Sequence, residues 1–232
     1  MKEERVVGIL GGMGPEATVD LMRRIIANTD AKDDMDHIRC IVDNNPKVPS
    51  RIKALFEGGG ESPAPSMVDM AKRLEAWGAE CLAIACNTAH HYYPDVQRAV
   101  AIPVLNMIEL TAVQAVRQNP GCKRVGILAT PATRLTRLYS DVLDTLGVET
   151  VYPEPEFENR LLQVIKAVKA GDTGVQIRRE FAEIVASLGK NRVDVAIIGC
   201  TELGIICEEY PIPVIDAAEV LARELIQFAR GK

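Results

Sequence analysis

The chain has few of the residues that mark several large classes of protein. It contains one tryptophan, three histidines and an aromatic content of 4%. Its 27 Lys and Arg residues do not outnumber its 32 Asp and Glu residues, the formal net charge is −5, and no block of like charge stands out. Because nucleic-acid backbones are bound by clustered Lys and Arg, this composition predicts no nucleic-acid partner.

Long apolar runs are also missing. No stretch approaches the roughly 20 apolar residues that cross a bilayer, and the opening MKEERVVGIL has no signal-peptide core. We therefore expect no membrane partner and a cytoplasmic location. In a reducing compartment the six cysteines are expected to be free thiols. A length of 232 residues suffices for one large α/β domain or two smaller ones.

Two common kinds of cofactor motif are absent or incomplete. There is no CxxC pair, and three histidines form no obvious ligand set, so no metal is predicted. The segment GGMGPEAT (residues 11–18) has no third glycine of the dinucleotide motif GxGxxG. It still predicts a turn between a strand and a helix, either a tight turn only or an anion site formed by backbone N–H groups.

What the sequence does contain is two short cysteine motifs at corresponding positions of its halves. Cys86 opens CNTAH and Cys200 opens CTEL, each after an apolar run (residues 81–85 and 193–198) that predicts a buried strand. A thiol just past a strand end, beside hydroxyl and amide side chains, is typical of chemistry rather than packing. The remaining cysteines are expected to be small core residues: Cys40, Cys81, Cys122 and Cys207.

These motifs belong to a longer internal repeat. VVGILGGMGPEAT (residues 6–18) matches RVGILATPATRLT (124–136), and IPVLNMIEL (102–110) matches IPVIDAAEV (212–220). Apolar strands alternating with helical patterns predict parallel sheets covered on both faces. We therefore expect an α/β fold with two pseudo-symmetric three-layer α/β/α lobes and mainly parallel sheets. The predicted lobes comprise residues 1–106 plus 216–232, and residues 107–215.

Capping residues predict the helix boundaries. Pro15 and Pro131 stand where helices begin, since a proline at that position loses no hydrogen bond. Helices are predicted over residues 19–27, 66–77, 135–146, 157–169, 176–188 and 217–230, and a strand over 37–42. Ser66, Asn106 and Asp216 are predicted N-caps, and the helices are predicted to end at Gly78, Gly147, Gly171 and Gly189.

In parallel sheets, ligands bind beyond the carboxyl ends of the strands. We therefore expect Cys86 and Cys200 to lie on opposite walls of an active-site cleft between the lobes. Arg51, after the polar segment NNPKVPS, is a candidate to bind a carboxylate, although a surface arginine explains it as well. The segment EGGGESPAPS (residues 57–66) is either a solvated linker or a lid.

Several other functions fit some of these residues. A cysteine hydrolase needs a thiol with a histidine base, for which His90 and His91 are present. A non-catalytic sensor that closes on an amino acid would keep the cleft and the anion site without needing two thiols. A structural interaction protein is disfavoured because nothing repeats beyond the two halves.

The ordered set of motifs resembles the aspartate/glutamate racemase superfamily, most closely its aspartate racemase branch. The motifs are GGMGP, NNPxxPxR, ACNTAH, LAT, KAG and GCTEL, and they cover nearly the whole chain. Glutamate racemases usually carry Asp-Ser-Gly in place of GGMGP, and GCTHY in place of GCTEL. Single-cysteine relatives include decarboxylases, and the presence of two cysteines argues against them.

The resemblance implies that Cys86 and Cys200 flank the α-carbon and exchange its proton, one as thiolate and the other as thiol. It implies no pyridoxal phosphate, no metal and a homodimer. Aspartate is the implied substrate, because Arg51 and Lys169 match positions that grip its side-chain carboxylate; a glutamate or broad-specificity racemase is the alternative. The implied substrate-binding residues are Met13, Gly14, Arg51, Asn87, Thr88, Thr130, Lys169, Thr201 and Glu202.

Overall fold

The computed structural model describes residues 4–56 and 59–231. In this part of the chain two four-stranded sheets form, and every strand pair in them is parallel. The first sheet has the order β2-β1-β3-β4 and the second has the equivalent order β6-β5-β7-β8. The predicted pseudo-symmetric α/β fold is therefore confirmed. The strands are β1 (Val7–Gly11), β2 (Cys40–Asn44), β3 (Cys81–Ile84), β4 (Val104–Leu105), β5 (Arg124–Leu128), β6 (Glu149–Val151), β7 (Val195–Ile198) and β8 (Val214–Asp216).

Helices connect the strands, since parallel strands need long crossover connections. In the described part of the chain, two 3-10 helices lie at Asp34–Asp36 and Thr88–Tyr92. The α-helices are α1 (Pro15–Asn28), α2 (Arg51–Leu55), α3 (Ala64–Ala76), α4 (Tyr93–Ala99), α5 (Met107–Gln118), α6 (Pro131–Leu135), α7 (Leu138–Thr145), α8 (Pro155–Lys169), α9 (Val175–Lys190), α10 (Thr201–Gly204) and α11 (Ala217–Ala229). None of the helices within the described residues combines the length and the apolar character that a bilayer crossing requires.

The chain divides into two compact units. The first ends at Met107 and resumes at Ala218, and the second is Ile108–Ala217. Helix α11 thus belongs to the first unit. There the N–H of Arg5 donates to the carbonyl of Ala229 at 3.0 Å, and the Arg5 guanidinium lies 3.8 Å from the centre of the Phe228 ring.

Both faces of each sheet are covered. In the second unit, Ala196 and Ile198 of β7 pack in a cluster with α8 and α9, while the alternate residues of β7 pack in another cluster with α5 and α7. In the first unit, successive residues of β3 are all fully buried, so both faces of its sheet are covered at this central strand. This explains why the strands are continuous apolar runs in the sequence.

Some predicted boundaries are wrong. Ser66 does not cap α3, which begins at Ala64 after Pro63, because proline already holds the backbone angle of a first helical turn. The helix predicted over residues 135–146 starts later, at Leu138, because α6 ends at Leu135 and Arg137, with φ +54°, separates it from α7. Gly189 does not end α9; the left-handed residue lies further on, at Arg192, with φ +53°.

Other boundaries are confirmed or move by a few residues. Gly78, Gly147 and Gly171 follow helices with positive φ, as predicted. The strand predicted over residues 37–42 is found at Cys40–Asn44. Part of the predicted linker or lid, residues 57 and 58, lies outside the described residues, and its role stays a prediction.

Candidate functional site

The first cysteine site lies at the carboxyl end of β3. That strand ends at Ile84, and Cys86 follows in the turn before the 3-10 helix that starts at Thr88. Cys86 is 7% exposed, and Asn87 and Thr88 are also buried. A thiol, an amide and a hydroxyl therefore stand together at a strand end, which is where ligands bind in open parallel sheets.

His90 is fixed by the backbone on both sides of its ring. Its Nδ1 lies 2.8 Å from the carbonyl oxygen of Cys86, and its Nε2 accepts the N–H of Met107 at 3.1 Å. Burial lowers the pKa of His90 to about 4, against opposing hydrogen bonds to the backbone. Since neither ring nitrogen is bonded to a thiol, the structure argues against His90 as the base of a cysteine hydrolase.

The glycine-rich turn leaves β1 at the same sheet edge, because β1 is the neighbour of β3. Gly12 has φ +84°, and a Cβ placed on it would lie 2.2 Å from the backbone of Asn45. Its N–H donates to Thr18 Oγ1 at 2.9 Å, which ties the turn to the first helical residues. The helix begins at Pro15 with Gly14 as a cap that offers no side chain. The turn thus brings its own backbone close to the loop after β2.

Arg51 is held against this turn. Its guanidinium donates to the carbonyl of Met13 at 2.7 Å and to those of Val48 and Pro49 at 3.3 and 2.9 Å. The side chain of Met13 is fully buried in the core of the first unit, so the residue meets Arg51 through its backbone. Arg51 therefore does not project into solvent.

The second cysteine site lies at the carboxyl end of β7. Cys200 is the cap residue of the one-turn helix α10 and is 5% exposed. Its Sγ donates to Oε2 of Glu202 at 3.1 Å, and the Thr201 hydroxyl lies 3.4 Å from the same oxygen. Glu202 is 3% exposed. A buried carboxylate thus lies directly against the thiol.

Lys169, the last residue of α8, provides a cation for this carboxylate. Its Nζ lies 3.3 Å from Oε1 of Glu202, an ion-pair distance although the contact lacks the geometry of a hydrogen bond. The Lys169 side chain is 33% exposed, whereas that of Glu202 is enclosed. The family resemblance implied that Glu202 and Lys169 bind the substrate, and the structure pairs the two side chains with each other.

Thr130 lies in the turn of the second unit that corresponds to the glycine-rich turn of the first. It is the N-cap of α6: its Oγ1 accepts the N–H of Thr133 at 3.4 Å and lies 3.2 Å from the Thr133 hydroxyl. A capping contact of this kind satisfies a helix N–H that would otherwise lack an acceptor. The structure therefore gives Thr130 a structural role.

The two sites share their topology but differ in their titratable groups. Each cysteine follows the equivalent central strand of its sheet, β3 or β7. Among the residues that the structure describes, only the second site combines its thiol with a carboxylate and an ammonium. Within residues 4–56 and 59–231, no group of three or more His, Cys, Asp and Glu side chains is arranged to hold a metal ion.

Comparison with known proteins identifies the family. The model of the Asp/Glu/Hydantoin racemase family matches residues 10–225. The chain belongs to this family. The superfamily resemblance of the sequence motifs is thereby confirmed.

Individual relatives cover almost the whole chain. The solved structure of aspartate racemase from Picrophilus torridus shares 37% identity with a TM-score of 0.87, covering 97% of this chain and 94% of the other. An aspartate racemase homologue from Pyrococcus horikoshii shares 27% identity with a TM-score of 0.77, covering 99% and 100%. The broad specificity amino-acid racemase RacX of Bacillus subtilis is 26% identical over 95% of this chain and 96% of its own length.

Sequence reasoning missed two relationships in these sites. The first is the role of His90 as a backbone bridge, for which its position four residues after Cys86 is the available signal. The second is the contact between Cys200 and Glu202. The sequence indicates this contact only through spacing, because Glu202 follows Cys200 by two residues in the first turn of α10. Side chains at that spacing meet only in particular rotamers.

Proposed function

We propose that this member of the racemase family is a cofactor-independent amino acid racemase that interconverts L- and D-aspartate. The observation that carries the proposal is the repeated placement of one cysteine at the carboxyl end of the equivalent strand in each sheet. A single thiol suffices for a nucleophile or a sensor. Two equivalent thiols match a reaction that removes a proton from one face of a carbon and returns one to the other.

In the proposed reaction, the thiolate of one cysteine takes the α-proton: the Cα–H bond breaks and an S–H bond forms. The other cysteine gives its S–H proton to the opposite face of the same carbon. The two roles exchange for the reverse direction. The scheme requires both sulfurs, Cys86 and Cys200, to reach one α-carbon.

An amino acid α-proton is a weak acid, so a thiolate alone removes it slowly. The reaction needs stabilisation of the negative charge that develops on the α-carboxylate, exclusion of water and fixed geometry. Asn87, Thr88 and Thr201, with nearby backbone N–H groups, are the proposed donors to that carboxylate. Their burial supports this role, because hydrogen bonds strengthen where water is excluded.

Aspartate is proposed as the substrate because of two cations. We propose that Arg51 and Lys169 bind the side-chain carboxylate. The guanidinium of Arg51 is anchored on the Met13 carbonyl beside the turn at the end of β1, rather than directed into solvent. The similarity to the aspartate racemase of Picrophilus torridus supports the same choice.

A broad-specificity racemase is the second candidate, favoured by the similarity to RacX of Bacillus subtilis over 95% of this chain. The two candidates differ in their dependence on a substrate side-chain carboxylate. Aspartate racemisation far above that of alanine or serine favours the first, and comparable rates on all three favour the second.

The decisive experiment incubates the protein with each L- and D-amino acid in deuterated water and follows inversion by chiral chromatography and α-deuterium by mass spectrometry. We expect inversion of aspartate with incorporation of deuterium. Cys86→Ser and Cys200→Ser should each reduce inversion of both enantiomers by about a thousandfold, the order that a positioned acid or base contributes. Cys207→Ser, which changes a cysteine outside both sites, is the matched control and should keep wild-type turnover.

Two results would contradict the proposal. Near-wild-type turnover by Cys86→Ser or Cys200→Ser would exclude the two-base scheme. Saturable aspartate binding with neither inversion nor exchange would instead identify the protein as a sensor. A homodimer and a cytoplasmic location remain predictions, and sedimentation of the purified protein tests the first.

A further inference from the structure

The second cysteine site contains a carboxylate that proton exchange between two sulfurs does not itself need. Glu202 accepts the Sγ–H of Cys200 on one oxygen, at 3.1 Å, and lies 3.3 Å from the Lys169 ammonium on the other. Thiol, carboxylate and ammonium thus form a row in which the carboxylate is enclosed. This row suggests a function for Glu202 other than contact with the substrate.

A carboxylate beside a thiol favours the protonated sulfur for two reasons. The hydrogen bond uses the S–H as donor, and it loses its proton when the sulfur ionises. A thiolate would then stand next to a second negative charge, with little water to screen the pair. The contact therefore stabilises the thiol form of Cys200 against the thiolate form.

The other charged and titratable groups around Cys200 do not reverse this effect. Lys169 faces the far oxygen of Glu202 and compensates the charge of that carboxylate directly. Tyr139 from α7 is fully buried and close enough to interact electrostatically with Cys200; burial raises its pKa, so it stays neutral. Asp216 ends β8 opposite Ile198 of β7 and adds a further negative charge near the strand end.

Over the described ranges, residues 4–56 and 59–231, Cys86 has no corresponding arrangement. Among the residues that the structure describes, no carboxylate is hydrogen-bonded to Cys86, and the nearby His90 uses both ring nitrogens on the backbone. The two thiols therefore differ in their hydrogen-bond partners, although their strands are equivalent.

We propose that Glu202, with Lys169 as its counter-ion, is a positioning residue that holds Cys200 as the proton-donating thiol. The part that concerns the reaction rests on the proposed racemisation. In the direction in which Cys86 is the base, its sulfur takes the α-proton and Cys200 delivers its own proton to the opposite face. The sulfur of Cys200 is then anionic beside a carboxylate, which favours its rapid reprotonation.

The test measures the ionisation of Cys200 directly. The protein is treated briefly with iodoacetamide over a range of pH, and alkylation of the Cys200 peptide is quantified by mass spectrometry. In Glu202→Gln, which keeps the size of the side chain and removes its charge, the midpoint of alkylation should fall by at least about one pH unit, with about tenfold faster alkylation at pH 7. An unchanged or higher midpoint would overturn the proposal.

A second variant should shift the alkylation midpoint of Cys200 in the opposite direction. Lys169→Gln removes the cation and leaves the carboxylate uncompensated, so the Cys200 midpoint should rise; an unchanged or lower midpoint counts against the proposal. This variant also decides the matter if Glu202→Gln does not fold. Glu208→Gln is the control, since Glu208 pairs with Arg178 at 3.3 Å on the surface and should leave the midpoint unchanged.

The pH dependence of turnover provides a readout that a purely structural role would not change. Loss of the Cys200 proton ends activity at high pH, so the alkaline limb of the kcat profile should move to lower pH in Glu202→Gln. An alkaline limb that stays in place would contradict the inference. Should the wild type fail to racemise aspartate, the proposed function falls, whereas the alkylation series still decides what Glu202 does to Cys200.

Discussion

His90 is joined to Cys86 through the main chain, with its Nδ1 2.8 Å from the Cys86 carbonyl oxygen. Because Nε2 accepts the N–H of Met107, the ring is a neutral imidazole with its proton on Nδ1. The imidazole therefore connects the turn that carries the first thiol to the first residue of α5. Its contribution to the site is to hold the Cys86 backbone in place.

The burial of His90 in this position predicts that the free energy of unfolding depends on pH. The pKa of His90 is lowered by burial from 6.5 to about 4, so between these values the unfolded chain binds a proton that the folded chain does not. Stability should be complete above about pH 6.5 and decrease as the pH falls towards 4, by about 3 kcal/mol in all from this residue. Urea denaturation of the wild type and of His90→Gln at several pH values measures the effect.

The free energy of unfolding is compared between the wild type and His90→Gln at each pH. The difference between them separates the effect of His90 from that of the carboxylates, which also titrate in this range. His90→Gln should be less stable at pH 7 by about 1 to 2 kcal/mol, and the gap should narrow as the pH falls. His91→Gln is the matched control, because His91 is exposed on the next position of the chain. A gap that is constant between pH 7 and 4.5 would show that His90 is not held neutral.

Gly12 should tolerate a side chain much less well than Gly78. Both have positive φ, +84° and +102°, so alanine at either position costs about 1 kcal/mol of backbone strain. Only at Gly12 would the added Cβ meet a backbone, that of Asn45 at 2.2 Å, whereas nothing lies within 4 Å at Gly78. Gly12→Ala should therefore cost about 2 kcal/mol more in denaturation experiments. Equal losses of stability in the two variants would mean that the loop after β2 shifts at no cost to accommodate the added Cβ.

Arg51 should distinguish substrates by charge. In Arg51→Ala, kcat/KM for aspartate should fall by about 10- to 100-fold, the range of a hydrogen bond to a charged group, and the loss should be smaller for alanine and serine. Lys53→Ala, an exposed change on the same helix, is the control. Because Arg51 also holds the Met13 carbonyl, some loss on every substrate is expected. Identical losses on all three amino acids would remove the argument for aspartate.

The sequence was sufficient to predict the sheets and the position of both thiols. Buried parallel strands need continuous apolar residues, and runs such as residues 81–85 leave few other interpretations. Glycines after helices were recognised for a similar reason, because Gly78 and Gly147 occupy a backbone conformation that other residues adopt at a cost.

Helix boundaries and side-chain contacts were harder to predict, because several nearby residues can each determine where a helix begins or which atoms meet. Ser66 is a good capping residue, but Pro63 stands earlier and starts the helix before it. The backbone leaves the helical conformation at Arg137, where no glycine in the sequence indicates a break. The contact from Cys200 to Glu202 depends on the rotamers of two side chains, and a pattern of residue types does not contain that information.

The assignment of α11 to the first unit has a consequence for biosynthesis. The ribosome produces residues 108–217 before it produces this helix, so the second unit has all of its chain while the first still lacks a segment of its own. Leu221 and Leu225 of α11 are fully buried in the native state. During translation, residues 1–107 therefore cannot complete their core until these leucines leave the ribosomal exit tunnel. Until then, the apolar surface that α11 covers stays exposed and can bind chaperones.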